Sequence, residues 1–359
     1  MSDKLLTIVI PSYNMQDYLP KCLDSLLISQ EWLNKLDILV INDGSKDKTI
    51  EIAHQYENKY PNVFRVIDKE NGNYGSCVNR GLAEAKGEYI KILDADDSFN
   101  TENFEKFVQY IQESRNNEEN VDCFINDYLM VNENDKIVFF PKYPLKEKKL
   151  FSINDFPQKA LSQHRMQAVT YKVEILKKMN YSQIEGISYT DSQWVYQPML
   201  HVNSIKYFPS IVYNYLIGRV GQTVESNVYN KNFWMIIKCI KELIIFYTKS
   251  DFTNNPNSFN FLTNFLLLII KNTYANQLLS RTINSDLSIL NEFDMFFQQT
   301  NPALYKKSNQ LKNSDKFHFK FIAHWRNKRS IKTVLFRLYR FYCKIVHLKN
   351  RLFHKQQAF

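Results

Sequence analysis

Three carboxylates stand almost side by side at the end of the segment YIKILDADD, residues 89–97. Like charges this close repel one another and raise each other's pKa, so the cluster costs stability unless a positive charge sits among them. Side chains alternate along an extended chain, which puts Asp94 and Asp96 on the same side. Two carboxylates that face one point can hold Mg²⁺ or Mn²⁺, which prefer oxygen ligands and share them with phosphate groups. The cluster therefore predicts a divalent-cation site at a strand end.

Two other interpretations of the acidic segment remain. An EF-hand calcium loop would place ligands near Ser98, Asn100 and Glu105, but Phe99 stands where such a loop needs glycine. The preceding EYIKIL is also strand-like, whereas a helix precedes an EF-hand loop. A plain solvated acidic turn stays open as the second interpretation.

Polar residues also follow two other apolar runs. Pro11, Tyr13 and Asn14 come after TIVI, and Asp43 comes after LDILVI. The first run is not followed by G-x-G-x-x-G, the pattern that lets a backbone approach a dinucleotide pyrophosphate, so we expect no Rossmann cofactor. Asp43 at a strand end can accept a hydrogen bond from a base N–H. A helix cap or an N-D-G turn is the alternative for that motif.

The elements that must position these residues can be read from the apolar pattern. Residues 1–93 alternate short apolar runs with helix-like segments. This rhythm predicts βα units on a mostly parallel sheet, with ligands bound at the carboxyl ends of the strands. From about residue 228 the chain lacks glycine and is rich in Leu, Ile and Phe, which indicates helices. The predicted fold class is α/β, and the expected domains are 1–225 (halves 1–100 and 101–225), 226–300 and 301–359.

The net charge of +9 is concentrated in the C-terminal tail. Residues 301–359 contain 15 Lys and Arg residues and a single acidic residue, Asp315. The five cysteines are scattered and odd in number, so neither a disulfide framework nor a zinc site is indicated, and a reducing cytosol fits. The N-terminus lacks a signal-peptide pattern, and no apolar run approaches the ~20 residues of a membrane-spanning helix.

Three segments carry a resemblance to a known family. They are IVIPSYNMQDYLPKCLDSLL, DILVINDGSKDKT and ENGNYGSCVNRGLAEAKGEYIKILDADD. In this order and at these separations they resemble the nucleotide-binding half of the family 2 glycosyltransferases, which have the GT-A fold. The resemblance is dense over residues 5–100. It implies a GT-A domain over residues 1–225 that transfers a sugar from a nucleotide-sugar, with UDP as the expected nucleotide.

The resemblance also implies roles for individual residues. Asp43 would accept a hydrogen bond from the uracil N3–H, and Asp96 would coordinate Mn²⁺ or Mg²⁺ at the sugar diphosphate. Asn42 departs from the Asp that the family usually has at that position. Arg219 would supply the cation of a loop that closes over the diphosphate. The full donor-binding set is Pro11, Tyr13, Asn14, Asp43, Asn71, Gly72, Asn79, Asp94 and Arg219.

The segment EGISYTDSQW, residues 185–194, resembles the acceptor-side motif of the family. Thr190 replaces the acid that usually precedes the catalytic residue, so Asp191 alone remains as the expected base. A helix N-cap or first-turn acid is the alternative for Asp191. His164 and Trp194 are expected to bind the acceptor, and a structural role is the alternative for His164.

The tail contains a basic amphipathic helix over residues 331–345. Its apolar residues recur at three- and four-residue steps, with Arg337, Arg340 and Lys344 on another face. We expect peripheral docking on the anionic inner face of the plasma membrane. Nucleic-acid binding, which we do not favour, and packing of this helix on the helical region are the alternatives.

These features together predict an inverting, cytoplasmic glycosyltransferase that acts on a glycan or a lipid-linked intermediate of cell-surface polysaccharide synthesis. A direct displacement, with Asp191 as base and a cation at Asp96, needs no covalent enzyme intermediate. One alternative is a non-catalytic nucleotide-sugar-binding scaffold that is recruited by its basic tail. Another is a sugar nucleotidyltransferase, although no glycine-rich phosphate loop follows the first strand.

Overall fold

The computed structural model describes residues 4–141, 143–145, 150–219, 222, 226–279, 287–312, 318–339 and 341–342. Contacts divide the chain into two units. The first is Met1–Cys239 with Ser250–Leu262, and the second is Ile240–Lys249 with Thr263–Phe359. The expected domain boundary at residue 225 stays a prediction.

One sheet of ten strands organises the first unit over the described residues. Its strands are β1 (Leu6–Ser12), β2 (Leu36–Asn42), β3 (Phe64–Asp68), β4 (Tyr89–Ile92), β5 (Ser98–Phe99), β6 (Cys123–Val131), β7 (Ile137–Phe139), β8 (Leu150–Ser152), β9 (Val169–Lys172) and β10 (Ser204–Leu216). The order is β3-β2-β1-β4-β9-β6-β10-β5, with β7 paired to β6 and β8 to β10. The long strands β1, β2, β3, β4, β6 and β10 run in one direction, which confirms the mostly parallel α/β sheet.

Three of the apolar runs predicted as strands, those of β1, β2 and β4, are buried on both faces, as parallel strands under helices must be. Every residue of β2 and β4 is buried, and so are all residues of β1 except Pro11. Helices flank these strands in the first unit. They are α1 (Leu19–Asp24), α2 (Gln30–Leu33), α3 (Thr49–Lys59), α4 (Asn73–Glu84), α5 (Thr101–Asn116), α6 (Val173–Lys178), α7 (Asp191–Tyr196) and α8 (Ser226–Lys231).

Helix α4 packs closely on β1 because it carries glycine at the contact. A Cβ atom at Gly81 would lie 2.4 Å from Cγ1 of Val9, which is closer than real side chains approach. The register between β1 and β4 then aligns Leu6 with Tyr89, so both strands end at the same edge of the sheet. The segment that follows β4 therefore lies beside the residues that follow β1.

The C-terminal part of the chain is helical, as the glycine-free apolar segments predict. Its helices are α9 (Phe233–Lys249), α10 (Ser258–Leu278), α11 (Ser288–Thr300), α12 (Pro302–Ser308) and α13 (Phe321–Lys328). No helix of the described residues is both long and apolar enough to cross a membrane.

A buried ionic cluster holds the helices of the second unit together. The Asp294 side chain is fully buried and accepts hydrogen bonds from Tyr274 Oη at 2.6 Å and from Arg326 Nε at 2.7 Å. Arg329 lies 2.9 Å from its second oxygen, and Tyr305 also donates to it. Because the Arg326 side chain is only 6% exposed, its positive charge is stabilised by the Asp294 carboxylate instead of by water.

The described tail residues 334–339, 341 and 342 are helical. Phe336 and Tyr339 are buried and pack against the ring of Phe319, whereas Val334 is 69% and Leu338 52% exposed. Phe336 and Tyr339 thus hold the helix in place. The apolar residues at three- and four-residue steps, such as Val334, Leu335 and Leu338, are exposed instead. Arg340, Lys344 and Ile345 of the expected helix lie outside the described residues.

Replacing Asp294 with alanine is predicted to destabilise the chain strongly. The substitution leaves the buried Arg326 guanidinium without its carboxylate, and breaking a buried pair from one side costs about 3–5 kcal/mol. Urea denaturation followed by circular dichroism measures this loss in the free energy of unfolding. Glu292→Ala, an exposed acid on the same helix, is the matched control. Equal unfolding midpoints for the two variants would contradict the importance of this pair.

Candidate active site

The three carboxylates that follow β4 lie together, with oxygen atoms of Asp94, Asp96 and Asp97 all within 4.8 Å of one another. Asp94 and Asp96 are partly exposed, whereas Asp97 is buried. Burial, and then the charge of Asp96, raise the pKa of Asp94 to about 7. Burial and the same neighbour raise the pKa of Asp97 as well. A divalent cation fits this set of oxygen donors because it would offset their repulsion.

Each carboxylate is also held by a different part of the chain. The Tyr74 hydroxyl donates to Asp94 Oδ1 at 2.8 Å. Arg219 donates to Asp96 Oδ2 through Nε at 3.0 Å and Nη2 at 2.9 Å. Asp94 and Asp96 are therefore held in place by donors from α4 and from the segment after β10.

Asp97 fastens the end of β10 to the acidic segment. Its Oδ2 accepts from the Tyr213 hydroxyl at 2.6 Å, and its Oδ1 accepts from the Leu216 backbone N–H at 2.7 Å. The Tyr213 oxygen in turn accepts from the Asp94 backbone N–H at 3.1 Å. Because Arg219 follows Leu216 by three residues, Asp97 helps to place it beside Asp96.

The EF-hand interpretation of this segment is wrong. Asn100 caps helix α5 by accepting from the Asn103 backbone N–H, and Glu105 accepts hydrogen bonds from Ser29. Ser98 is part of strand β5. These three residues are therefore engaged in the fold, and the acidic segment is a strand-to-strand connection instead of a calcium loop.

A cavity of about 480 Å³ opens beside the acidic cluster. It brings together eight of the expected donor and metal residues, which are Pro11, Tyr13, Asn14, Asp43, Asn71, Asp94, Asp96 and Arg219. The cavity is also lined by Tyr74, Cys77, Ser188, Tyr215 and Gln222, among others. The ends of β1, β2 and β4 therefore meet at one concave surface, as the parallel register requires.

Asp43 is almost fully buried and is fixed by the loop that precedes α4. Its Oδ1 accepts from Lys69 Nζ at 2.6 Å and from the Gly72 backbone N–H at 2.9 Å. Asn71 donates from its side chain to the Asp43 backbone carbonyl at 2.9 Å. Gly72 therefore acts on the cavity through Asp43 and does not line it. Lys69 supplies the positive charge that lets this carboxylate stay buried.

Asn79 lies away from the cavity and links helix α4 to the acceptor side. Its Oδ1 accepts from the Gln183 backbone N–H at 2.8 Å, and its Nδ2 donates to Glu185 Oε1 at 2.9 Å. The two segments touch directly here, since a Cβ atom at Gly75 would lie 2.1 Å from the Ile184 carbonyl oxygen. Asn79 thus joins the two halves instead of facing a donor in the cavity.

Asp191 is the first residue of helix α7, and Thr190 is the residue before it. Its surface is exposed, yet protein atoms crowd around the carboxylate, and this partial burial raises its pKa while Arg165 opposes the shift. The charge of Asp191 makes a smaller contribution to the raised pKa of Asp94 than burial and Asp96 do.

His164 and Trp194 occupy positions that do not agree with direct contact with an acceptor. The imidazole of His164 is 1% exposed, packs against Phe156 and Phe261, and has its Nε2 3.1 Å from the Val195 carbonyl. Burial lowers its pKa to about 4, so it stays neutral near pH 7. Trp194 is fully buried. The structural alternative for His164 is therefore the one that the structure supports.

Sequence reasoning missed the residues that hold the carboxylates in place. Lys69, Tyr74 and Tyr213 each bond a predicted acid, yet none of them is close to its partner in the chain. Lys69 and Tyr74 flank the E-N-G-N segment, which contains Asn71 and Gly72 of the expected donor-binding set. Their position beside that motif was the only signal available.

The comparisons with known proteins agree with the geometry. The family model described as Glycosyl transferase family 2 matches residues 7–156. An uncharacterized glycosyltransferase of Mycoplasma pneumoniae, the MG025 homolog, is 44% identical over 108 residues, which cover 30% of this chain and 36% of that protein. The uncharacterized glycosyltransferase YibD of Escherichia coli is 28% identical over 235 residues, which cover 64% of this chain and 67% of YibD. The match thus spans about a third of the first relative's length.

Solved structures extend the likeness over almost the whole chain. The crystal structure of S. aureus TarS 1-349 superposes with a TM-score of 0.70 at 18% identity, covering 95% of this chain and 91% of that one. Its complex with UDP-GlcNAc gives a TM-score of 0.69 at 17% identity, with the same coverage of both chains. At such identity the likeness shows the fold alone. Residues 7–156 of the chain match the family 2 glycosyltransferases, and the fold is the one found in TarS 1-349.

Proposed function

We propose that this protein transfers a sugar from a UDP-sugar to an acceptor hydroxyl with inversion at the anomeric carbon. The observation that carries the proposal is the single cavity that gathers the ends of β1, β2 and β4 beside three carboxylates. The charge of the exposed acid Asp191 contributes to the raised pKa of Asp94. TarS has been crystallised with UDP and with UDP-GlcNAc, which supports a uridine nucleotide as the donor's leaving group.

The donor would lie with its base at the far end of the cavity from the acidic cluster. Tyr13, which is 46% exposed, offers a ring face, and Asp43 and Asn71 offer polar groups among the residues that line the cavity. Since Lys69 and Gly72 fix the orientation of the Asp43 carboxylate, the base would meet a preformed acceptor. This arrangement supports a uracil base at this position.

The diphosphate would lie between the acidic cluster and Arg219. Asp94 and Asp96 would hold Mn²⁺ or Mg²⁺, which when bound supplies charge neutralisation at the diphosphate leaving group. The Arg219 guanidinium already sits against Asp96 and over the ring of Tyr18, 5.3 Å from its centroid. From there it can donate hydrogen bonds to phosphate oxygens as the leaving group gains charge.

Asp191 would remove the proton from the acceptor hydroxyl as that oxygen attacks. The carboxylate must be ionised to act as a base, and its raised pKa makes it a stronger base than an ordinary aspartate. Its exposure leaves room for an acceptor to approach. One displacement assisted by this base requires no covalent bond to the enzyme.

The acceptor would be a glycan or a lipid-linked sugar of cell-surface polysaccharide synthesis, and the tail would hold the enzyme at an anionic membrane. Val334, Leu335, Leu338 and Phe341 form an exposed apolar stripe along the tail helix, spaced as one helical face. Exposed Lys332 and Arg337 accompany this stripe. An apolar stripe flanked by cations suits the interface of an anionic bilayer.

The Asp191→Asn variant is predicted to lose transfer activity while it keeps its donor affinity. Loss of a general base lowers the rate by about 10²–10⁴, whereas the amide occupies nearly the same volume. Initial rates of UDP release in the presence of acceptor measure kcat, and calorimetric titration with UDP measures binding. Asp155→Asn, an exposed acid elsewhere in the domain, is the control. If cells that carry Asp191→Asn kept the protein's biological function, the result would favour the non-catalytic scaffold alternative.

The pH dependence of kcat should report the same carboxylate. The base works only when it is deprotonated, so activity should fall as the pH drops through the pKa of Asp191. Because that pKa is raised, the fall should come at a higher pH than for an unperturbed aspartate. Rates measured under saturating donor and acceptor over the acidic range test this. If the residual activity of Asp191→Asn fell at low pH in the same way as that of the parent, the fall would have to come from another titrating group.

The Asp96→Ala variant is predicted to lose the dependence of UDP binding on Mn²⁺. Removing this partly exposed oxygen donor leaves Asp94 as the remaining accessible carboxylate, which is too few ligands for a site shared with phosphate. Titration of UDP with and without Mn²⁺ measures the difference for the parent and the variant. Asp17→Ala, outside the acidic cluster, should keep the parent's behaviour. Equal metal dependence in the parent and in Asp96→Ala would contradict a cation site here.

A further inference from the structure

The hairpin of β6 and β7 carries an unusual apolar surface. Ile137, Val138, Phe139 and Phe140, which we name the apolar edge, are four consecutive residues with exposures of 67, 54, 55 and 42%. Strand β7 pairs with β6 alone among the described strands, so it is an edge strand. Proteins usually protect such edges with charges or with short polar strands. An apolar run left open at an edge indicates a surface that something else covers.

Both faces of the strand are exposed. Successive side chains of a strand point to opposite sides, so Ile137 and Phe139 occupy one face and Val138 the other. A flat protein surface could cover only one of these faces. A fluid apolar medium that surrounds the strand would cover both.

The available area also argues against a stable protein partner. Four half-exposed side chains offer a few hundred Å², less than the about 800 Å² that each partner of a stable interface contributes. The charge next to the apolar edge suits an anionic surface instead. The exposed Lys136 precedes it directly, and the acid before it, Asp135, is paired with Lys21.

The hairpin is fastened to the rim of the candidate active site. The Ile217 backbone N–H donates to the Val131 carbonyl at 2.8 Å, two residues before Arg219. In the hairpin turn, Asp135 pairs with Lys21 at 2.6 Å, and Glu133 accepts from the Tyr18 hydroxyl. A surface that met the apolar edge would therefore lie next to the segment that carries Arg219.

We propose that the apolar edge is a membrane contact, which enters the headgroup region of an anionic phospholipid bilayer and brings the active site to the membrane surface. Insertion to that depth covers both faces of β7 with lipid while the unpaired strand edge stays hydrated. The inference concerns a surface separate from the tail, and it deepens the proposed function by placing the acceptor in or on a bilayer.

Vesicle sedimentation of the full chain tests the proposal. The probe is a vesicle of phosphatidylcholine and phosphatidylglycerol, and the variant is Val138→Ser with Phe139→Ser. Loss of this apolar area should weaken binding about tenfold. The control is Phe259→Ser, which removes an aromatic ring of similar exposure, 43%, from helix α10 and should bind as the parent does. The tail is intact in both proteins, so it cannot produce the difference.

Two further measurements keep the outcome specific. UDP release without vesicles should be equal in the parent and the double variant, since no residue of the apolar edge lines the cavity. Vesicle binding equal to that of the parent would overturn the proposal. So would light scattering that finds a dimeric parent and a monomeric variant, because the edge would then pair with a second copy. Vesicle binding is measured without donor, so its failure is distinct from a failure of the transfer reaction.

Discussion

The repulsion among three neighbouring carboxylates is the constraint on which the site depends. Asp94, Asp96 and Asp97 could relax it by turning apart, but each is held by a donor from a different element. The fold thus uses long-range hydrogen bonds to maintain an electrostatically unfavourable arrangement. A bound cation would offset the repulsion among the carboxylates. The arrangement therefore favours cation binding.

The same bonds couple the donor side to the segment that follows β10. Asp97 accepts hydrogen bonds from Tyr213 and Leu216, and Asp96 accepts them from Arg219. The acidic segment thus fixes the end of β10, which lies over a hundred residues away in the chain. The hairpin of β6 and β7 joins this assembly through Ile217. The proposed nucleotide binding, leaving-group stabilisation and membrane contact would therefore all depend on one connected set of backbone positions.

The donor half was predictable because its signals are local. Strands buried on both faces need continuous apolar runs, and residues at their carboxyl ends must meet, which located Asp43, Asp94 and Asp96. Partners such as Tyr213 were not predictable, since a tyrosine in a strand gives no sign of which distant acid it will reach. For His164 the sequence left both an acceptor-binding and a structural role open, for a related reason: its residue type fits a binding site, but its packing against Phe261 is visible only in three dimensions.

The contact between Gly75 and Ile184 has a consequence for how this domain can vary. A carbonyl oxygen occupies the place where any other residue would carry its first side-chain atom. The two halves of the cleft can approach this closely because residue 75 of helix α4 has no side chain. A side chain at position 75 would push the two halves of the cleft apart. The distance between groups on opposite sides of the cleft would then increase, although neither group had been altered.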